Sequence, residues 1–368
     1  MSERNATLDF ARLLAAFGIV WFHAKAPGAA VGYAALPFFT MLLVFLAMPG
    51  AARAGGFGAH ARARAQRLLG PWLLWSGVYG GLKLAEVLVT GRSLASEFAP
   101  WMLLTGPAIH LWFLPFAFLA SLALYPLARH RVAAGGALRD PVLWLLGGLT
   151  LAALALWQGA RLPVPFAQWA FVMPATLFGL ACARVASGGG ARDGATCLCG
   201  ALVLAALALA AGWTAGLGQF VLAAGALALC LALPRPGSAL SRRAADLALT
   251  VYLAHPLLAS ILLRLGLPEP ATPGFAVLLC LTSTGLALGI AAAGAAWRKA
   301  APRPLRAPRP LRITSTMPSL SSPPAAMPAR RPPVIVAVPR TGPSGLASPF
   351  LLRPALPHRA ARPSDHGA

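Results

Sequence analysis

The chain has 368 residues, of which 58% are hydrophobic and only 11% are charged, and its mean hydropathy is +0.70. These values exclude an ordinary soluble domain, in which roughly a quarter of the residues are charged. A formal net charge of +22 would suggest nucleic-acid binding by a soluble protein. However, ten arginines and one aspartate place +9 of that charge in residues 300–368, so we expect no nucleic-acid partner.

Ten apolar segments recur along the chain, each long enough to cross a hydrocarbon core of roughly 30 Å as a helix. They lie near residues 8–26, 34–52, 69–89, 108–128, 141–157, 165–183, 195–212, 216–233, 247–265 and 273–297. We therefore predict an all-α polytopic membrane protein with about ten transmembrane helices, whose first partner is the lipid bilayer.

The distribution of basic residues predicts the orientation of these spans. With a cytoplasmic N-terminus, thirteen basic residues fall in the inner loops and four in the outer loops, as the positive-inside rule expects. The inner positions are 4, 53, 62, 64, 67, 129, 131, 139, 184, 192, 235, 242 and 243, and the outer positions are 25, 92, 161 and 264. We expect a multi-pass protein of the cell membrane, such as a bacterial inner membrane, with both termini cytoplasmic.

Two regions differ sharply in composition. Residues 1–299 read as one transmembrane domain with short loops, whereas residues 300–368 are rich in proline and arginine. Proline at that density disfavours helix and sheet, so we predict a disordered cytoplasmic tail. The five cysteines form neither a disulfide ladder nor a C-x-x-C pair, and we expect no metal site.

Three histidines, His23, His110 and His255, lie within or at the edge of apolar runs. An ionisable side chain at membrane depth costs several kcal/mol unless it faces protein or water, so each histidine is a candidate functional residue. Three of them in one chain suggest chemistry, or passage of a charged species, inside the bilayer.

Two prolines inside predicted spans each remove a backbone hydrogen bond and free the carbonyl four residues earlier. Pro115 is expected to free Leu111, and Pro256 to free Tyr252. Exposed carbonyls at membrane depth are tolerated where protein or a water-filled cavity receives them. Because each proline follows a histidine closely, we expect the histidines to border a polar chamber.

Arg12 and His23 are eleven positions apart in the first span, which places them on one helix face about 16 Å apart along the axis. Asp9 precedes Arg12 by three residues and can pair with it. Position alone also allows a plainer interpretation, in which Arg12 is a snorkelling anchor and His23 an interfacial residue.

Arg62, Arg64 and Arg67 stand immediately before the third span. The positive-inside bias alone explains basic residues at this place. Three arginines at a membrane entrance would also bind the phosphates of a nucleotide-bearing donor such as coenzyme A, through their forked donors.

Two aromatic and histidine pairs complete the candidate set. His110 and Trp112 open the fourth span, where they are ordinary components of an interfacial aromatic belt or a platform for a sugar ring. Tyr252 and His255 lie one turn apart in the ninth span. Neither pair is specific by itself.

The order of four segments is specific. LDFARLLAAFGIVWFHA at residues 8–24, RAQRLLGPWLLW at 64–75, HLWFLP at 110–115 and LTVYLAHPLL at 249–258 together resemble the membrane acyltransferase-3 family. The resemblance covers about residues 4–297. It departs from the family in the second span, where residues 38–43 read FFTMLL and lack a Ser-Gly pair, which puts close helix approach there in doubt.

The resemblance implies a multi-pass enzyme that moves acetyl or another short acyl group from cytoplasmic acyl-CoA to a hydroxyl, usually of a surface carbohydrate. It also implies that Arg12 and His23 are the essential pair. Acyl-CoA, with acetyl-CoA expected, would be a co-substrate, and no permanently bound cofactor is expected.

These inferences predict an O-acyltransferase in which His23 is the general base on the acceptor hydroxyl and Arg12 holds the donor or stabilises developing charge. His110, Trp112, Tyr252 and His255 are then expected to shape the cavity and acceptor side, although a covalent acyl-histidine stays open. The alternatives are a transporter or proton-coupled carrier that uses the same histidines and arginines, and a structural or assembly factor.

Overall fold

The computed structural model describes residues 4–129, 140–186, 190–267 and 269–300. These ranges consist of α-helices, one 3₁₀ turn and their connections, with no β-strand among them. The helices are α1 Ala6–His23, α2 Ala29–Gly32, α3 Ala35–Arg53, α4 Phe57–Thr90, α5 Leu94–Glu97, α6 Met102–Thr105, α7 Phe113–Arg129 after the turn Ile109–Trp112, α8 Pro141–Gln158, α9 Phe166–Val185, α10 Ala191–Ala210, α11 Leu217–Ala232, α12 Ala239–Arg264 and α13 Pro273–Ala300. The predicted all-α membrane fold is confirmed, whereas the predicted tail beyond Ala300 lies outside the described residues.

Eight stretches of the described chain are long and apolar enough to cross a membrane. The other two predicted spans correspond to α11, which has only 16 residues, and α4, which has 34. Helix α4 begins at Phe57, before the predicted span near residues 69–89, because its basic first turns are already helical. Large apolar side chains such as Leu88, Leu103 and Leu156 are exposed on the helix surfaces, as the lipid-facing side of a multi-pass protein requires.

Interhelical hydrogen bonds show that α1 runs opposite in direction to α11 and α13. The Thr7 hydroxyl, at the start of α1, donates to the Leu233 carbonyl beyond the end of α11 at 2.6 Å. At the other end of α1, the Ala271 amide donates to the Ala24 carbonyl at 3.1 Å, just before α13 begins. We call the end of the bundle where α1 begins the near end, and the end where α1 finishes the far end.

Helix α12 begins at Ala239, eight residues before the predicted span, because a capping box precedes it. The Ser238 hydroxyl accepts from the Ser241 amide at 3.0 Å, and the Ser241 hydroxyl accepts from the Ser238 amide at 3.1 Å. These bonds satisfy amides that have no partner within the helix. The Ser241 hydroxyl also donates to Asp9 of α1 at 3.2 Å, which ties the two helices together at the near end.

Helix α3 packs closely against α9, because α9 supplies the small residue at the contact. A Cβ atom added at Gly179 of α9 would lie 2.6 Å from the Met41 Cα and 2.8 Å from its carbonyl oxygen. The absence of the Ser-Gly pair from α3 therefore does not prevent tight packing, since the small residue is supplied by α9.

A buried ion pair joins the start of α8 to the end of α9. Arg184 donates to one oxygen of Asp140 through Nε at 2.9 Å and Nη2 at 2.5 Å, and both side chains are almost fully buried. The other Asp140 oxygen accepts from the Val142 amide at 3.1 Å and caps α8. One carboxylate thus fixes a helix start and neutralises an arginine.

Candidate active site

Three histidines from different elements meet in the far half of the bundle. His23 ends α1, His110 lies in the 3₁₀ turn and His255 lies in α12. The ring centroids are 5.0 Å apart for His23 and His255, and 5.7 Å apart for His110 and His255. His23 is exposed, whereas the other two are buried. The structure therefore brings the three predicted histidines together, with the His23 ring directed at α12.

Pro256 accounts for the hydrogen bonding of His255. A proline has no amide hydrogen, so the Tyr252 carbonyl four residues earlier lacks its helical donor. This carbonyl accepts a hydrogen bond from Nδ1 of His255 at 2.7 Å. The free carbonyl predicted at Tyr252 is thus received by protein.

Pro115, the other proline, does not lie in the interior of a helix as predicted. Helix α7 begins at Phe113, so Pro115 falls in its first turn, where a proline costs little.

Tyr79 of α4 completes the site, although it was not predicted from the sequence. Its hydroxyl donates to the Leu253 carbonyl at 2.8 Å and accepts from the Leu257 amide at 3.3 Å. His110 Nε2 also donates to the Leu253 carbonyl, at 3.3 Å. A phenol within the small-residue run SGVYGG of an otherwise apolar span was the available signal.

The remaining predicted cavity residues are buried around this centre. The Tyr252 hydroxyl donates to the His110 carbonyl, which joins α12 to the 3₁₀ turn. Trp112 is buried against Phe113 and Phe116, with ring centroids 5.9 Å away in both cases. Trp112 is not among the residues that line the cavity described next, and its role as a platform for a sugar ring stays a prediction.

A cavity of about 150 Å³ leads from the near half towards the histidines. Arg12 and Arg67 line it together with Phe39, Phe113 and Tyr252, whose ring neighbours His255. Cationic and aromatic side chains thus share one hollow.

The predicted pairing of Arg12 with Asp9 is a weak one. The closest atoms of the two side chains are 4.0 Å apart, whereas Arg4 donates to Asp9 at 2.6 Å. Because Arg4 and Ser241 engage the carboxylate, the Arg12 guanidinium keeps donor capacity for an anion in the cavity.

A second groove, of about 480 Å³, opens beside the first at the near end. Arg53, His60, Arg64 and Arg67 line it, and the first two were not predicted. His60 donates to the Ser121 carbonyl at 2.9 Å and Arg64 donates to the Ser121 hydroxyl at 3.0 Å. These bonds hold the basic side chains of His60 and Arg64 in α4 against α7.

Arg62 was predicted with Arg64 and Arg67, but the structure places it elsewhere. Residues three apart on a helix share a face, and residues two apart do not. Arg64 and Arg67 accordingly face the grooves, while Arg62 is exposed and lines neither of them. The sequence feature that could have identified the groove residues is the i, i+4 spacing of His60 and Arg64, which places both on the side of α4 that faces the groove.

The site as a whole offers imidazoles, phenols and guanidinium groups. In the part of the chain that the structure describes, no group of three histidine, cysteine or acidic side chains is placed to hold a metal ion. Neutral imidazole can take a proton from a hydroxyl, and arginine can hold a phosphate or stabilise developing negative charge. Acid–base group transfer is chemistry that these residues can perform.

Comparison with known proteins agrees with this chemistry. The family model described as an acyltransferase domain matches residues 5–292, which include every residue of the site. No curated protein and no solved structure shows significant similarity to the chain. With more than three quarters of its length matched, the chain belongs to the acyltransferase-3 family and is a multi-pass membrane acyltransferase.

Proposed function

We propose that this acyltransferase moves an acyl group, most simply acetyl, from cytoplasmic acyl-CoA to a hydroxyl of a carbohydrate or related cell-envelope acceptor. The observation that carries the proposal is the cavity lined by Arg12, Arg67 and Tyr252. It shares Arg67 with a basic groove suited to phosphates, and the ring of Tyr252 neighbours His255 of the imidazole cluster, which is suited to proton transfer. Both termini would then lie on the cytoplasmic side of the cell membrane.

The donor would bind at the near end. Arg53, Arg64 and Arg67 line the larger groove, where their guanidinium groups can pair with the phosphates of coenzyme A. Arg67 also lines the smaller cavity, so the pantetheine arm would pass Arg67 and extend towards Tyr252. The acyl-CoA is a co-substrate in this proposal, and the protein needs no resident cofactor.

The acceptor would approach His23 from the far end, where this residue is exposed. His23 takes the hydroxyl proton while the oxygen attacks the thioester carbonyl, so a C–O bond forms and the C–S bond breaks. The leaving thiolate takes the electron pair, and the proton on His23 is returned to it. Arg12 stabilises the negative charge that develops on the donor side.

The test supplies acetyl-CoA labelled in the acetyl group to membranes that contain wild type or His23→Ala, with the acceptors of the native envelope present. We expect the label to move to envelope material with wild type, and the rate to fall at least about a hundredfold in the variant, since general-base catalysis contributes roughly 10²–10⁴-fold.

A matched control is Lys25→Ala, which removes an exposed cation two residues away and should transfer at the wild-type rate. Equal transfer by wild type and His23→Ala would remove His23 from the mechanism. Substrate uptake into liposomes without acyl-CoA, together with no labelled product, would favour a carrier instead.

A further inference from the structure

His255 carries a buried polar atom that nothing in the described structure satisfies. The residue is fully buried, and its Nε2 has no hydrogen-bond partner among the described residues. Most buried polar atoms in proteins have a hydrogen-bond partner, so a buried acceptor without a donor calls for an explanation. In this structure His255 has no exposed surface on which an acceptor could bind.

The protonation of His255 follows from its other nitrogen. The Tyr252 carbonyl can only accept, so the Nδ1 that lies 2.7 Å from it must carry the hydrogen. In the neutral ring Nε2 therefore has a free lone pair. Pro256 makes this arrangement possible, because it removes the amide that would otherwise compete for the same carbonyl.

His23 is the group best placed to use that lone pair. Its ring centroid lies 5.0 Å from that of His255, and the two rings are inclined at 39°. Elsewhere a catalytic histidine is commonly oriented by a carboxylate. Among the described residues, no carboxylate forms an ion pair with His23 or His255, and the polar rings that neighbour His255 besides His23 are His110 and Tyr252.

We infer that His255 is a positioning residue for His23, whose protonated ring donates a hydrogen bond to the Nε2 lone pair of His255. The inference rests on the proposed function of His23 as the base. When His23 takes the hydroxyl proton, its ring gains an N–H donor and a positive charge, and a small ring rotation brings that donor to Nε2. The proton stays on His23 until the thiolate takes it, so His255 gains and loses nothing. A neutral imidazole thereby replaces the usual carboxylate.

Two amide substitutions separate this role from a purely structural one. In His255→Asn the amide nitrogen is attached to Cγ, as Nδ1 is in histidine. It can therefore still donate to the Tyr252 carbonyl, but the side chain is too short to reach the position of Nε2. In His255→Gln the amide is one bond further from the backbone, so its oxygen can accept a hydrogen bond near the position of Nε2. Its hydrogen bond to the Tyr252 carbonyl is weakened. The measurements are labelled acetyl transfer per folded protein in membranes and thermal unfolding in detergent.

We expect His255→Asn to keep most of the stability and lose about tenfold or more of the turnover rate, and His255→Gln to be less stable yet the more active of the two. Activity that follows stability, with His255→Asn the better enzyme, would overturn the inference, as would wild-type rates in both variants. Absence of transfer by wild type itself would instead contradict the proposed function, so the two failures are distinguishable.

Discussion

The Tyr79 hydroxyl of α4 donates to the Leu253 carbonyl of α12 at 2.8 Å and accepts from the Leu257 amide one turn later at 3.3 Å. A single phenol therefore bridges the turn that contains His255 and Pro256. Since the same carbonyl also accepts from His110 Nε2, the bridge links both buried histidines to α4. The position of the histidine cluster thus depends on a helix that contributes no histidine to it.

Tyr79→Phe tests this bridge. The substitution keeps the ring but leaves a carbonyl and an amide of α12 without the hydroxyl, which we expect to cost about 1–3 kcal/mol of stability. Transfer should also fall, because the turn that carries His255 loses a constraint. Thermal unfolding in detergent and labelled acetyl transfer measure the two effects.

Tyr33→Phe is the matched control, because within the described residues the Tyr33 hydroxyl makes no hydrogen bond and its ring stacks on Phe22 and Phe171. It should behave like wild type. If both variants lose the same stability and activity, the Tyr79 bridge has no special role.

Arg67 and Arg62 provide a direct contrast on one helix. Arg67 lines both grooves, whereas Arg62 lines neither. A hydrogen bond to a charged group contributes about 1.5–3 kcal/mol, so Arg67→Ala should raise the KM for acyl-CoA by about ten- to a hundredfold. Arg62→Ala should change it less than about twofold, since Arg62 lines neither groove and an exposed charge away from the donor contributes little. Equal effects in a titration with acetyl-CoA would mean that donor binding does not follow the grooves.

Gly179→Ala is expected to damage the fold. The added methyl group would lie 2.6 Å from the Met41 Cα, and a backbone atom cannot turn aside as a flexible side chain does. Helices α3 and α9 would have to separate, at a cost of about 1–3 kcal/mol or more. Gly148→Ala is the control, because no atom of another part of the described chain lies within 4 Å of its added Cβ. A wild-type unfolding temperature for Gly179→Ala would show that the two helices are not held this closely.

Asp140→Asn isolates the buried ion pair from the helix cap. The asparagine oxygen can still accept from the Val142 amide, but the charge that balances Arg184 is lost. Removing one partner of a buried pair typically costs about 3–5 kcal/mol, so the yield of folded protein should fall while activity per folded molecule is kept. Asp246→Asn, which alters an exposed carboxylate of α12, should leave stability unchanged in the same unfolding measurement.

Several features of this protein were predictable from the sequence because they depend on neighbouring residues. Apolar runs of membrane-spanning length predict helices, and eight of the ten satisfy length and composition in the structure. The histidines and Pro256 stand out because ionisable groups and missing amides are costly at membrane depth. The extension of α4 back to Phe57 was not predicted, since the basic stretch before the span has no apolar periodicity.

Tertiary structure alone decided which of these residues act together. Tyr79 and Leu253 are 174 positions apart, and no local pattern predicts that a hydroxyl of one span bonds to the backbone of another. The separation of Arg67 from Arg62 and the supply of Gly179 by α9 likewise depend on which helix faces meet. Hydropathy and residue spacing are properties of each segment, whereas burial, hydrogen-bond partners and close approach are set by how the segments cross. The arrangement of the site depends on the second group.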